Sequence, residues 1–344
     1  MRVHHRLSHV ASECLPKERR RGAMTALLLV ALAAAPCSGP AQEQLLLTAD
    51  VGKTEFFEDE PIYLLVRLQN VGTDTARVYF FSLLSPAVTL SMSRGQGKLV
   101  EVAKPVLDVR VPLSWRGEPV PPGASFLQTM VLQDIIGDEW DLRSHLFAHH
   151  FAPDQYVLHL VFAAHWAVPR TTPLTVKAAP MVFRIRARTT AEEGEVRELE
   201  DMRQMGWDTT LVAGHPRAVG YQSSLIHWVD QRLREQPDDP FLPFLLYNGL
   251  YVVGKVLEEQ LVAGKVPSFD PDTSEVVSRL RLAVIRRHRL STAGAHLVQG
   301  LTARHPDQLA ILAEELGATP GGEMARYQVE RNQHAKQFRN QPPR

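Results

Sequence analysis

The stretch from Glu55 to Phe81, EFFEDEPIYLLVRLQNVGTDTARVYFF, constrains this chain more than any other. From Pro61 to Gln69 it alternates. Ile62, Leu64, Val66 and Leu68 fall on one face, and Tyr63, Arg67 and Gln69 on the other, where Leu65 is the single apolar residue. A period of two over that length predicts a half-buried strand. Pro61 suits the strand's first position, where no ladder donor is lost. Asn70 to Asp74 is a turn cluster, and Arg77 to Phe81 resumes in β-branched and aromatic residues. A short edge segment, a turn, a strand, a turn and a strand open an antiparallel β-sandwich. Turns and alternation account for the whole stretch and leave no residue in it that asks for a functional role.

More strands follow at turn-separated intervals. QLLLTADV at 44–51 precedes the stretch, and 88–92, 98–102 and 126–132 come after it. Val120-Pro121-Pro122-Gly123 is one turn and Pro153-Asp154-Gln155 another. Tyr156, Leu158, Leu160 and Phe162 then share a face, as do Met181, Phe183 and Ile185, with Arg184, Arg186 and Arg188 opposite. Seven or eight short strands with no helix between them argue a sandwich over residues 42–189.

After Thr190 the period changes. Ala191 to Met205 is a charged, helix-favouring run, and Gly206 to Pro216 reads as a loop, so residues 190–217 form a helix and linker. From 218 to 322 the pattern is helical. Leu225, Trp228, Val229 and Leu233 line one face. Pro237-Asp238-Asp239-Pro240 separates that helix from the next, and Asp272, Ser291 and Pro306 open others. Gly317 and Gly321-Gly322 mark the last stop. Residues 323–344 read as a polar, mobile tail.

The first 41 residues read as a leader. Arg19, Arg20 and Arg21 precede an apolar run from Ala26 to Ala35, and small residues follow up to Ala41. That is the order of a secretory signal peptide. An uncleaved anchor and a lipid on Cys37 are the alternatives. Both cysteines, Cys14 and Cys37, lie in this leader, so the exported chain is expected to stand by core packing alone. Lys and Arg number 38, and Asp and Glu also number 38, which gives no electrostatic case for nucleic acid. The expected location is the periplasm or the outside of the cell, with membrane contact only through the leader or Cys37.

Three motifs carry a resemblance. E-x-x-P-I-x-L-x-V-x-L-x-N spans Glu58 to Asn70, P-P-G-A-S spans Pro121 to Ser125, and A-P-D-Q-Y-V-L spans Ala152 to Leu158. Together they resemble the immunoglobulin-like modules of exported bacterial proteins, including domains similar to BsuPI-type proteinase inhibitors. Asp154 stands where such modules carry glycine. The resemblance implies an all-β immunoglobulin-like antiparallel sandwich, and it admits inhibition of a proteinase through a loop such as 111–122. In the helical half, LREQPDDPFLPFLLYNGLYVVGK and TARHPDQLAILAEELG are similar to the joints of tetratricopeptide-like repeats. Their spacing is not that of a regular array, so the expectation is an all-α helical-hairpin domain.

Chemistry has few footholds. His145 and His149 would share a helical face at i, i+4, with His150 beside them, a spacing that can hold a metal. The glutamate of a zinc protease is missing, so these three are weak metal candidates and loop roles explain them better. No nucleophile elbow, phosphate loop or Cys–His pair occurs. Trp115 and Trp140 fall near strand ends, where aromatics can rim a ligand surface. With His149 and His150 they are the candidate binding residues. The expected function is non-catalytic: a protein-binding or scaffold protein of the cell envelope, with no cofactor, whose partner is another envelope or extracellular protein. A proteinase inhibitor and a metal-dependent enzyme using His145, His149 and His150 are the rival readings.

Overall fold

The alternating run becomes a strand as expected, but water reaches neither of its faces freely. The computed structural model describes residues 45–78, 81–104, 118–136, 147, 149–164, 174–210, 216–247, 271–301 and 306–339. In chain order the strands are β1 (Leu45–Asp50), β2 (Glu55–Phe57), β3 (Tyr63–Asn70), β4 (Ala76–Val78), β5 (Val88–Arg94), β6 (Val100–Glu101), β7 (Glu118–Val120), β8 (Ser125–Val131), β9 (Asp154–Ala164), β10 (Leu174–Lys177) and β11 (Met181–Arg186). The helices are α1 (Leu132–Ile135), α2 (Thr190–Thr210), α3 (Pro216–Glu235), α4 (residues 241–247), α5 (Pro271–Arg287), α6 (Thr292–Gln299), α7 (Pro306–Glu315) and α8 (Pro320–Arg339).

Two open sheets share one core. The smaller runs β1-β3-β8; the larger runs β2-β11-β9-β5-β6, with β10 also on β9. Leu45, Leu47, Ile62, Leu64, Val66 and Leu68 of the smaller sheet meet Val88, Leu90, Leu158, Leu160, Phe162, Phe183 and Ile185 of the larger. Every strand pair is antiparallel except β2 with β11, which is parallel. A wholly antiparallel sandwich was expected. The segment between β2 and β3 explains the exception: β2 joins the larger sheet, and the turn at 58–60 carries the chain across to β3 in the smaller one. β10 and β11 are two halves of one interrupted strand along β9. Lys177 faces Val161 and Met181 faces Leu158, so the β11 side has one residue too many. That is a bulge, placed where Pro180 has no N–H to offer. The turn expected at Asp154-Gln155 is instead the start of β9, because both residues pair with β11.

The second face of β3 meets the helices. Tyr63 and Leu65, together with Leu127 and Val131 of β8, are buried in a core built mostly from helical residues such as Trp228, Val229, Phe241, Leu280, Val284, Leu297 and Leu312. A buried leucine contributes about 2 kcal/mol, so this contact is a substantial part of the fold's stability. Sheets followed by helices were expected in that order, with no helix between strands, and the order holds except for the single turn of α1 between β8 and β9. The separation into an all-β and an all-α body does not, since Gln42–Arg344 is one compact unit with mixed cores. A strand with apolar residues on both faces needs two partners, and Leu65 was the clue to the second.

α6 is the helix that lies on the smaller sheet. Thr292 to Val298 are all buried, as befits a helix apolar on every side. At its start, Gly52 comes so close to Thr292 that a Cβ there would lie 2.6 Å from Thr292 Oγ1. Its φ of 79° also suits only glycine. Elsewhere the helical half departs from expectation in two places. α2 continues to Thr210, through residues read as loop. α8 begins at Pro320 and runs to Arg339, through the glycines read as a stop. Gly322 is needed there because a side chain would collide with the Gly317 carbonyl. Met324 and Ala325 are buried, and Glu323 pairs with Arg67 of β3.

Candidate functional site

The candidate site is the corner where the β2–β3 turn, the approach to β9 and the end of β11 meet the helical half. Phe147 packs its ring 4.9 Å from that of Phe244 in α4, while Phe151 sits in the sandwich core 5.1 Å from Tyr156. Phe147 and Phe151 are therefore anchored in different cores, and His149 and His150 lie between the two anchors in the chain. His149 is half-buried, its ring 4.8 Å from Phe151. Burial, and then the charge of His150, hold its pKa below the ordinary histidine value.

His150 turns the other way, toward the β2–β3 turn. Its Nδ1 lies 2.7 Å from Asp59 Oδ1, and its Nε2 lies 3.8 Å from Glu58 Oε1. Arg188 reaches Asp59 Oδ2 at 3.3 Å, and its backbone N–H donates to Glu58 Oε2 at 3.3 Å. Asp59 itself has a φ of 62°, among the described residues the sole non-glycine with positive φ. Aspartate tolerates that left-handed conformation better than most residues, at a cost of order 1 kcal/mol. The turn is closed by the Glu60 N–H donating to the Phe57 carbonyl at 3.1 Å, while Glu60 Oε2 accepts from the Phe57 N–H at 3.1 Å. Glu60 is buried and pairs with Lys53. Burial raises its pKa, and Lys53 opposes that rise.

The three consecutive acids of Glu58-Asp59-Glu60 thus each have a task, although the stretch containing them was expected to need none. The signal was present in the sequence: a turn before Pro61 needs no charge, and three in a row call for cationic partners. Below the corner, Arg186 lies 5.4 Å from the Phe57 ring and grips Glu192 with both guanidinium nitrogens, at 2.7 and 2.5 Å. Glu192 also accepts from the Thr189 N–H at 2.8 Å, while Thr189 Oγ1 accepts from the Glu192 N–H at 3.4 Å. This is a capping box, written in the sequence as T-x-x-E at 189–192 and not noticed there. With Arg186 beside it, the Glu192 carboxyl is held down to about 2.

Of the residues singled out from sequence, His149 and His150 stand in this corner with their rings turned to different neighbours. Trp115, Trp140 and His145 lie outside the described residues, as does most of the 111–122 loop. Among the described residues, no three His, Cys, Asp or Glu side chains converge as metal ligands would. The arrangement can hold loops in place and present a mixed polar surface. Of Glu58, Asp59, His150 and Arg188, His150 is the most exposed, at 48% of its side chain.

No family model matches the chain, and no curated protein matches it. Among solved structures, the chain is similar over 46% of its length to the solution structure of a protein described as late embryogenesis abundant. That match covers 79% of the other chain at 8% identity, with a TM-score of 0.21, a likeness too slight to carry an argument about fold or function.

Proposed function

We propose that this chain is a non-catalytic protein-binding or scaffold protein of the bacterial cell envelope. In this reading its β half is an immunoglobulin-like sandwich, exported by the leader of residues 1–41, and its partner is another envelope or extracellular protein. The observation that carries the reading is the Asp59–His150 contact. It fastens His150 to the β2–β3 turn, so the polar groups of the corner hold loops of the sandwich together beside the helices. A surface held this way is pre-organised, and a partner that meets it loses little to loop ordering. His149 and His150 are the binding residues of this reading within the described chain, and Trp115 and Trp140 complete it. Among the described residues no helix is long and apolar enough to cross a membrane.

The test is a photo-crosslinking residue placed at position 150, compared with one at Asp307 on α7, in the native envelope. A discrete adduct with a single protein from position 150, absent from position 307 and competed by purified unlabelled chain, is the expected result. No adduct from position 150, or the same adducts from both positions, rules the corner out. Fractionation of the same cells checks export: the chain must be found outside the cytoplasm.

A further inference from the structure

The outward face of the larger sheet is open to solvent over β5, β9 and the start of β11, while at its β2 edge Phe57 is buried against helical residues. Along β5 it shows Thr89, Ser91 and Ser93; along β9, Gln155, Val157, His159 and Val161; along β11, Val182 and Arg184. Not one of these residues is buried. The strand register sorts them into rows. Val182 pairs with Val157 and Val157 with Ser93. Leu99, one residue before the pair Val100–Met92, extends this row on the β6 side. Leu99 and Val182, the two ends of the row, are exposed at 51% and 48%. Glu101, Ser91 and His159 form the next row. Thr89, Val161 and Lys177 form the row after that.

Charge is divided across these rows. Lys177 stands on the β10 side and Glu101 on the β6 side, while Arg184 is matched by Glu55 beside it on β2. A two-fold axis parallel to the strands, running between β5 and β9, exchanges the two sides when one sheet is laid on another. It sets Leu99 over the second copy's Val182 and Val157 over the second copy's Ser93. It also brings Glu101 within one row of the second copy's Lys177, about 7 Å along the strands, which a lysine side chain spans. Each of these contacts occurs twice, as an isologous interface requires. Aligned sheets pack face to face through such rows at about 10 Å.

We propose that this face is a homodimer interface, in which the larger sheets of two copies of the chain pack face to face about a two-fold axis parallel to their strands. The apolar row supplies contact area, and the division of charge sets the orientation. An arrangement turned end to end would lose the pairing of Glu101 with Lys177.

Sedimentation velocity of the full chain over a wide concentration range tests this. The wild type is expected to dimerise, and Val182→Arg and Leu99→Arg are expected to be monomers. Both positions are exposed, so circular dichroism and thermal melting should show folded variants. Glu101→Lys and Lys177→Glu, each alone, should weaken association by about tenfold or more, and the double variant should restore it. A wild type that stays monomeric throughout overturns the proposal. So does a dimer that survives both arginine variants, which would place the contact elsewhere. A double variant no tighter than either single one overturns the two-fold orientation.

Discussion

Gln299 and Thr129 are joined by two hydrogen bonds: the Thr129 N–H donates to Gln299 Oε1 at 2.7 Å, and Gln299 Nε2 donates to the Thr129 carbonyl at 2.8 Å. A helix side chain here does what a neighbouring strand would do. β8 is an edge of its sheet, and the side-chain amide of Gln299 in α6 pairs the N–H and C=O of Thr129. Gln133 repeats the device nearby, accepting from the Ile62 N–H at 3.0 Å and donating to the Glu60 carbonyl at 2.5 Å. The β8 edge of the smaller sheet is thus closed in part by Gln299, and Gln133 holds the chain entering the central β3, so that both glutamines pin helices to the sheet.

Replacing Gln299 by alanine therefore leaves two backbone groups of β8 without partners under α6. The expected loss is about 2 kcal/mol in chemical denaturation, since each buried unsatisfied group costs about 1 kcal/mol or more. Gln299→Glu, which keeps the acceptor and loses the donor, should also destabilise. A Gln299→Ala protein within about 0.5 kcal/mol of wild type, the scatter of an ordinary surface change, would show that the pairing contributes nothing.

His296 predicts a pH dependence. It is buried between the rings of Tyr63 and Tyr247, at 5.2 and 4.1 Å, with Nδ1 3.1 Å from Thr129 Oγ1. Burial lowers its pKa from 6.5 to about 3. The folded state therefore excludes a proton that the unfolded state accepts. Stability from this group is complete above pH 6.5 and is lost as pH falls from there toward 3, at up to about 1.4 kcal/mol per pH unit. His296→Gln should be less stable than wild type at pH 7, and the gap should shrink steadily between pH 6 and pH 4. A constant gap over that range would exclude the titration. His149 and His288, also lowered by burial, act in the same direction.

The capping box at the start of α2 gives a third expectation. Glu192→Gln loses the Arg186 ion pair and weakens the cap on Thr189, at a cost of about 1 kcal/mol. The carboxyl is held near 2 by Arg186, so its contribution is whole above the ordinary carboxylate range and is lost progressively as pH falls from about 4.5 through about 2. Carbon-13 NMR of the Glu192 side chain should show it ionised at pH 3.5, and Arg186→Ala should move its titration up toward 4.5. An unchanged midpoint in that variant would refute the assignment.

At the candidate corner, His150→Ala should alter dynamics more than stability. The ring is half-exposed, and exposed ion pairs contribute about 0–1 kcal/mol. Amide exchange of residues 149–152 and 58–60 should accelerate together, while the melting temperature changes little. Faster exchange in 149–152 alone would mean that Asp59 does not depend on His150.

Much of the β half could be read from the chain because its alternation is strict where one face is dry. Tyr156, Leu158, Leu160 and Phe162 were placed on one face, and all are buried. Leu65 broke the pattern of β3, and this exception pointed to the helical side. β10 was missed because four residues before a bulge are too few to show a period. α8 was read as a tail because Gly321 and Gly322 look like a stop, and only the closeness of Gly322 to Gly317 and of Gly321 to Leu316 explains them. At the corner, the histidines were noticed as a motif of their own. Their partners, Glu58, Asp59 and Arg188, lie far away in the chain, and no local rule joins residue 59 to residue 150.

Local periodicity was enough to determine that a strand-rich half precedes a helical one, the inward face of each long strand and the positions of several turns. These depend on neighbours within a few residues, and every residue carries that information. Tertiary structure alone decided that β2 pairs parallel with β11, that α6 covers the second face of the smaller sheet, and that the turn at 58–60 is fastened to His150. Each of these depends on which of several compatible apolar faces and charged groups meet. That choice is made by packing and charge pairing across the whole unit, where a single residue such as Leu65 or Gly52 settles which surfaces can touch.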